Sequence, residues 1–448
     1  MTDKIGANEG RGELLLLHLS DIHFREPYCL NLETDQDHSV RTALLNDISV
    51  MVERLGSIDA IIISGDIAFK GHADEYKVAA KWLLEVTQTA GCSPTSIYSV
   101  PGNHDIDRNA ANSRLVLGVR KLIADKETGH QRDKELQDAL LDKDSGPELF
   151  KPMAEYNLFA APYECDLSPE RPFWTEQLSL SPGWVLQLHG LTTTFLSGPN
   201  DDEKGSLYLG AIQRVFAPED GVIRLTTMHH PPEWLEDQDD LDDALWESSA
   251  LHLFGHKHRQ RYLQSENSVR FSAGAVNPDR GERDWLPGYN LIKLNVSSEL
   301  DKHILNVESH LRVWQTAPDI FVGKTNGDGS NVFKHKIPLR RKPLPCFRKK
   351  VEKATPVIAH AEKVDTLKDN DSEVITKVAN NMHQRDIVFH FWELTASERR
   401  KIMQTLNLLE DDDDKLPEPQ RYRRAFKRAD ERGVIDMVEQ SINEIMQK

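Results

Sequence analysis

Five short apolar runs in this 448-residue chain each stop at a cluster of Asp, Asn or His, and that repeated ending constrains the fold more than any other feature. Leu14 to Ser20 precedes Asp21-Ile22-His23, and Asp59 to Ser64 precedes Gly65-Asp66. Ser96 to Val100 precedes Pro101-Gly102-Asn103-His104-Asp105, Ile223 to Met228 precedes His229-His230, and Ala250 to Phe254 precedes Gly255-His256-Lys257-His258. Short apolar runs bounded by polar turns read as buried strands. Between the first two, Val40, Leu44, Ile48, Met51, Val52 and Leu55 recur at helical spacing over Ser39 to Leu55, and His72 to Ala90 repeats the pattern with Tyr76, Ala80, Leu83 and Leu84. Strands alternating with helices predict an α/β core, and open α/β sheets place ligands at strand ends.

Downstream, Val269 to Gly274 and Tyr289 to Val296 read as strands around a loop from Asn277 to Pro287, which would close a second sheet and give a sandwich with helices outside. The stretch 107–175 brings no further ligand cluster, and its charge-rich part, Lys121 to Lys143, reads as a helical insertion over the site. From about residue 333 the composition changes. Lys334, Lys336, Arg340, Arg341, Lys342, Arg348, Lys349, Lys350 and Lys353 put nine cations in twenty residues, and Pro338, Pro343 and Pro345 forbid a continuous helix. This stretch reads as a domain edge and a linker, with a path for a phosphate backbone as the alternative. Beyond it lie four amphipathic helical segments, Val374 to Met382, Thr395 to Leu409, Pro419 to Arg432 and Val434 to Met446, with Thr395 or Ser397 as a helix cap. The expected organisation is 1–345 for the sandwich, 346–370 for the linker and 371–448 for a small all-α bundle that the linker uncouples from the sandwich.

Composition narrows the function classes. No stretch approaches the roughly 18 apolar residues of a membrane span, and the first 13 residues carry no apolar leader, so the expected location is cytoplasmic. The four cysteines, Cys29, Cys92, Cys165 and Cys346, form no C-x-x-C pair and read as reduced structural thiols. Fifty-five Lys and Arg against 72 Asp and Glu give a net charge of −17, which argues against general electrostatic coating of nucleic acid.

The strand ends supply Asp21, His23, Asp66, Asn103, His229, His256 and His258, a carboxylate, imidazole and amide set that suits hard or borderline divalent cations. Seven ligands suit two ions. With Asp66 as the bridge, one site takes Asp21, His23 and His258, and the other takes Asn103, His229 and His256. Such a pair would clamp a phosphoryl group and generate a bridging hydroxide as nucleophile near neutral pH, without a protein base. Gly65, Gly102 and Gly255 are expected to permit the tight turns that aim the next side chain at the ions.

The ordered set D-x-H, G-D, G-N-H-D, H and G-H-x-H over about residues 13–310 resembles the calcineurin-like metallophosphoesterase family. The resemblance implies an α/β two-sheet sandwich flanked by helices and hydrolysis of phosphomonoesters or phosphodiesters. It also implies two divalent metal ions, with manganese first and iron, zinc, nickel or magnesium as alternatives. It makes His104 the residue that contacts the phosphate and protonates the leaving oxygen, with Asp105 behind it as orienter. It selects His229 over His230 as the ligand, leaving His230 in the surrounding shell. Catalytic candidates are therefore His104, Asp66 and Asp105, and Asn103, His104, Arg25 and His230 are the candidate substrate contacts. Phe24, Arg108 and Arg280 also lie beside the motifs.

Residues 386–446, with Phe391-Trp392-Glu393-Leu394-Thr395, Arg399-Arg400 and Phe426-Lys427-Arg428-Ala429, resemble the death-fold-like effector-associated domains of bacterial conflict systems. That resemblance implies recruitment to a protein partner and an anti-phage role. The leading expectation is a nuclease effector acting on a phosphodiester, with DNA as the candidate substrate. A cyclic-nucleotide phosphodiesterase or nucleotidase is the second reading, and a non-catalytic scaffold the third.

Overall fold

The computed structural model describes residues 12–198, 203–281, 286–299, 302–340, 342–344 and 383–447. Elements are numbered in chain order. In the first sheet β1 (Glu13–Leu19), β2 (Ala60–Ile63) and β3 (Ile97–Ser99) run parallel, and β10 (Gly288–Glu299) pairs antiparallel with the other edge of β1. Next comes β11 (Lys302–Gln315), whose outer edge is shared by β12 (Ile320–Gly323) and β13 (Phe333–Leu339). The second sheet runs β4 (Trp174–Ser181), β5 (Trp184–Gly190), β6 (Val222–Met228), β7 (Leu251–Phe254), β9 (Val269–Ser272) and β8 (Arg261–Gln264), with β5, β6, β7 and β9 parallel. One continuous core joins the sheets, from Leu16, Ile61 and Leu291 on one side to Leu186, Leu225 and Leu253 on the other. The strands expected from the apolar runs form within a residue or two of their expected ends.

Two helices cover the first sheet because their apolar residues fall on one face. α1 (His38–Leu55) buries Val40, Leu44, Ile48 and Met51, and α2 (Ala73–Ala90) buries Tyr76, Ala79, Leu83 and Val86 before stopping at left-handed Gly91. The insertion is five short helices, α3 (Arg108–Ala111), α4 (Arg114–Ala124), α5 (Gly129–Leu141), α6 (Ser145–Phe150) and α7 (Ala154–Ala160). The charge-rich stretch 121–143, expected to be helical, takes in the end of α4 and all of α5. Ser113 caps α4, Thr128 caps α5, and each side chain accepts a backbone N–H of the helix it starts. α8 (Gln238–Ser248) flanks the second sheet.

The basic stretch needs correction where it is described. Lys334 and Lys336 lie in β13, paired with Glu308 and Glu299, so this part of the basic stretch is a strand of the sandwich and not linker. Register places Lys334 level with Leu15 through Glu308 and Lys293. That is about 20 Å along the strand from Asp21 at the rise of an extended chain. These two lysines lie at the opposite end of the sheet from the motif cluster. The 346–370 linker and the expected 374–382 helix lie outside the described residues, as does Cys346; Cys29, Cys92 and Cys165 are free thiols.

The C-terminal helices are α9 (383–393), α10 (Ala396–Thr405), α11 (Glu418–Glu431) and α12 (Ile435–Met446), packed around Phe391, Met403, Tyr422, Phe426 and Val438. Thr395 caps α10 and Glu398 completes the capping box. In the acidic run between α10 and α11, Asp413 is buried and takes Arg428, so it is not a solvated charge. The bundle is docked, contrary to the expected uncoupling. Arg385, only 3% exposed, donates to the carbonyls of Thr95 and Ile97 and lies 4.4 Å over the Tyr98 ring. Asp386 accepts from the Thr95 hydroxyl at 2.7 Å, and Arg423 pairs with buried Asp166.

Replacing Arg385 by Ala should strand the Thr95 and Ile97 carbonyls without their charged donor, at a cost of about 2–3 kcal/mol. The expected result is a urea transition that splits into two steps, with faster proteolysis between the domains. A single unshifted transition would mean that the docking contributes nothing to stability.

Candidate metal centre

Strands from both sheets end at one edge of the sandwich, and the five motif clusters follow those ends. Asp21 and His23 follow β1, Asp66 follows β2, and Asn103 to Asp105 follow β3, while His229 and His230 follow β6 and His256 to His258 follow β7. The three motif glycines serve close approach more than turning. A Cβ on Gly102 would lie 2.1 Å from Asp66 Oδ1, one on Gly255 would lie 2.2 Å from Ser20 Oγ, and one on Gly65 would lie 2.6 Å from His229 Nδ1. Of the three, only Gly65 has positive φ, at +91°. The turning itself falls on the candidate ligands. Asp21, His23, Asp66, His256 and His258 all have φ between 52° and 67°, a left-handed conformation that L residues avoid.

The donor chemistry of the cluster tests whether it suits cations. His23 Nδ1 lies 3.2 Å from the Asn277 carbonyl and His229 Nδ1 lies 2.8 Å from that of Ser64. A carbonyl only accepts, so each Nδ1 carries hydrogen and each Nε2 is the nitrogen turned inward, a lone pair for a ligand once any proton on it has left. His23 Nε2 and His229 Nε2 then face Asp66 Oδ2 at 3.3 and 3.2 Å, and His229 Nε2 faces Asn103 Oδ1 at 3.0 Å. His256 Nδ1 meets the same amide oxygen at 3.1 Å. On the other side, His258 Nε2 lies 3.2 Å from Asp21 Oδ1, yet neither carboxylate oxygen of fully buried Asp21 has a hydrogen-bond partner. Facing acceptors and an orphaned buried carboxylate are what positive charge would satisfy. The residues fit two divalent cations, with Asp66 Oδ2 between the two groups and Oδ1 occupied by the His104 backbone N–H at 2.8 Å.

Without a cation, the charges of the cluster and its burial pull its groups in opposite directions. Burial opposes charge on Asp21, but His258 and His229 outweigh it and bring the carboxyl to about 2. Burial also disfavours the His229 imidazolium, and the Asp66 carboxylate overrides it, lifting His229 to about 9. Burial takes His256 the other way, down to about 3.

His104 is half-buried, with its ring nitrogen inside the His23, Asp66 and His104 group. Its Nδ1 sits 2.9 Å from the Phe69 carbonyl, and its ring stacks on Phe69 with centroids 4.7 Å apart. The expected orienter, Asp105, does something else. Its carboxylate accepts the backbone N–H groups of Ile67, Ala68 and Gly102 and the Tyr76 hydroxyl, and so ties the loop after β2 to the loop after β3. Buried Glu75 likewise accepts from the N–H groups of Glu26, Lys70 and His72. Sequence reasoning missed Ser64, Asn277, Phe69 and Glu75. The first three act partly through backbone carbonyls, which leave no side-chain signal, and Glu75 resembles any helix-start glutamate.

The flanking residues divide. Arg25 lies 4.0 Å over Phe69 and pairs with Asp279 at 3.2 Å, on the His104 side. Lys257 pairs with Glu233 and lies 5.4 Å over Trp234, whose ring meets His256 edge-on at 4.6 Å. Arg280 is held by the Gln36 carbonyl, Phe24 is a core residue, and Arg108 is exposed on α3.

Two outcomes check this architecture. Asp105→Asn sets an amide nitrogen against backbone donors, at about 1–3 kcal/mol for each group left unpaired. Both loops should loosen, and divalent-ion affinity should fall about tenfold or more by calorimetry; unchanged affinity would remove Asp105 from the site's construction. Since His229 holds its proton below pH 9 and an ion needs the free nitrogen, apparent affinity should rise about tenfold per pH unit from 7 to 9. Calorimetry in buffers of different ionisation heat should register one proton released at pH 7.5, and no release would contradict the protonated His229.

A family model described as calcineurin-like phosphoesterase matches residues 14–267, and one described as GTPase-associated adaptor domain matches residues 383–444. The uncharacterized metallophosphoesterase-like protein YydB of Bacillus subtilis (strain 168) is 32% identical over 106 residues, which cover 23% of this chain and only 20% of that protein. Among solved structures, the Plasmodium inner-membrane-complex anchor GAP50 is 10% identical at a TM-score of 0.39, covering 74% of this chain and 90% of its own. A putative 5'-nucleotidase from Staphylococcus aureus is 13% identical at a TM-score of 0.32, covering 82% of this chain and 58% of its own. The phosphoesterase match spans more than half of the chain and takes in every strand end that carries a candidate ligand, so the chain belongs to the calcineurin-like phosphoesterase family.

Proposed function

We propose that the protein is a two-metal phosphodiesterase acting on nucleic acid, an effector of bacterial anti-phage defence brought to its target by its helical domain. The observation that carries the hydrolase reading is the convergence of Asp21, His23, Asp66 and His258 on one side and Asp66, Asn103, His229 and His256 on the other. Bound divalent cations, manganese as the first choice, would supply Lewis acidity toward phosphoryl oxygens and acidify a water. The chain's own groups do the rest. Asp66 would be shared by the two positions, while its Oδ1 fixes the His104 backbone. His104, anchored through Nδ1, turns Nε2 to the phosphate and, when protonated there, gives that proton to the leaving oxygen. Asn103 and Arg25 contact the phosphodiester, and Asp105 positions the loops that carry Asp66 and Asn103.

Cations and aromatic rings on both flanks, Arg25 with Phe69 and Lys257 with Trp234, support a substrate that extends beyond one phosphate. The match to a GTPase-associated adaptor domain supports a protein partner from a GTPase-containing system. A cyclic nucleotide or mononucleotide is the second reading, favoured by the net charge of −17 and by the distance of Lys334 and Lys336 from the centre.

The test is a manganese-loaded screen against plasmid, single-stranded DNA, RNA, cyclic nucleotides and a generic phosphodiester. Polynucleotide cleavage is expected, lost in Asp66→Ala together with both ions. In His104→Ala turnover should fall about a hundredfold with metal content intact. Cyclic-nucleotide turnover alone would select the second reading, and no hydrolysis of any substrate would end the proposal.

A further inference from the structure

His229 and His230 are consecutive, and consecutive side chains of an extended strand point to opposite faces. Here the chain bends directly after β6, and both imidazoles turn toward the same cluster. One ring nitrogen from each of His229, His230 and His256 lies within 4.8 Å of the other two. The His230 ring centroid is 4.8 Å from that of His229 and 4.5 Å from that of His256. His230 is fully buried; its Nδ1 sits 2.8 Å from Thr193 Oγ1, and its Nε2 has no hydrogen-bond partner. Buried ring nitrogens are ordinarily paired, and an idle one costs free energy. The His230 Nδ1 is engaged as in its neighbours, with the Thr193 hydroxyl, able to accept from Nδ1–H, standing where the Ser64 and Asn277 carbonyls hold His229 and His23. An imidazole fixed through one nitrogen presents the other as a ligand.

We infer that His230 is a fifth protein donor to the second cation position, its Nε2 joining Asp66 Oδ2, Asn103 Oδ1, His229 Nε2 and His256 Nδ1. This rests on the two-cation reading above and adds an asymmetry to it. The first position offers two carboxylates and two imidazoles, and the second offers three imidazoles, one carboxylate and one amide oxygen. Nitrogen-rich sites favour borderline ions such as cobalt, zinc, nickel or ferrous iron over magnesium, so the two positions discriminate differently between ions.

The experiment uses full-length, metal-free protein titrated with Co(II) in the absence of substrate, read by calorimetry and visible absorption. Wild type should bind two ions. In His230→Ala one of the two should bind at least tenfold more weakly, with altered visible bands, while the other keeps its affinity. Thr193→Val, which leaves the ring in place and removes its anchor, should shift the same ion in the same direction, and it serves as the readout if His230→Ala fails to fold. Two ions bound with wild-type affinity and spectrum in the variants would overturn the inference, and a raised KM as the sole change would make His230 a phosphate contact instead. Fewer than two ions in wild type would overturn the two-cation reading itself.

Discussion

Two buried carboxylates without enough protons around them are the condition on which the rest of the centre depends. Asp21 and Asp66 are 0% and 1% exposed, and taking such ions from water costs several kcal/mol each unless opposite charge is supplied. The surrounding structure supplies geometry instead of charge. The Asn277 and Ser64 carbonyls fix two imidazoles as acceptors, Asp105 fixes two loops, and Glu75 fixes the segment leading into α2. A cluster built this way is frustrated until a cation arrives, and the raised His229 shows a proton as the smallest cation it can recruit.

Much of this was legible in sequence because it is local. An apolar run followed by Asp-Ile-His or Gly-Asn-His-Asp announces both strand and ligand, and Val40, Leu44, Ile48 and Met51 announce the helix between. What sequence spacing could not convey was which acceptor a side chain meets. Asp105 follows His104 directly, yet it reaches across to Ile67, Ala68 and Tyr76, because the short turn at Asn103–Asp105 sends adjacent side chains apart. The start of the basic stretch, at Lys334 and Lys336, differs from its expected linker character for another reason. Counting cations hid the alternation of Phe333, His335 and Ile337 with exposed Lys334 and Lys336, which is a strand pattern with its charges facing water.

The docked bundle changes how the two domains relate. α2 presents Tyr76 to Asp105 on one side, and on the other it forms one wall of a groove of about 390 Å3 between the domains, lined also by Leu84, Phe159, Tyr163, Phe389 and Trp392. Tyr76 itself lines that groove, so one side chain touches both the interdomain space and the carboxylate that holds the metal loops. The C-terminal bundle and the candidate metal centre share a structural member and not merely a linker.

The left-handed backbone at Asp21, His23, Asp66, His256 and His258 carries a consequence for how such a protein can change. Each of these conformations costs an L residue about 1–2 kcal/mol that glycine avoids. The substitutions that would most relax the metal-free fold are therefore those that delete its ligands. Selection for stability alone would erode the centre residue by residue and leave a sturdier, inert sandwich.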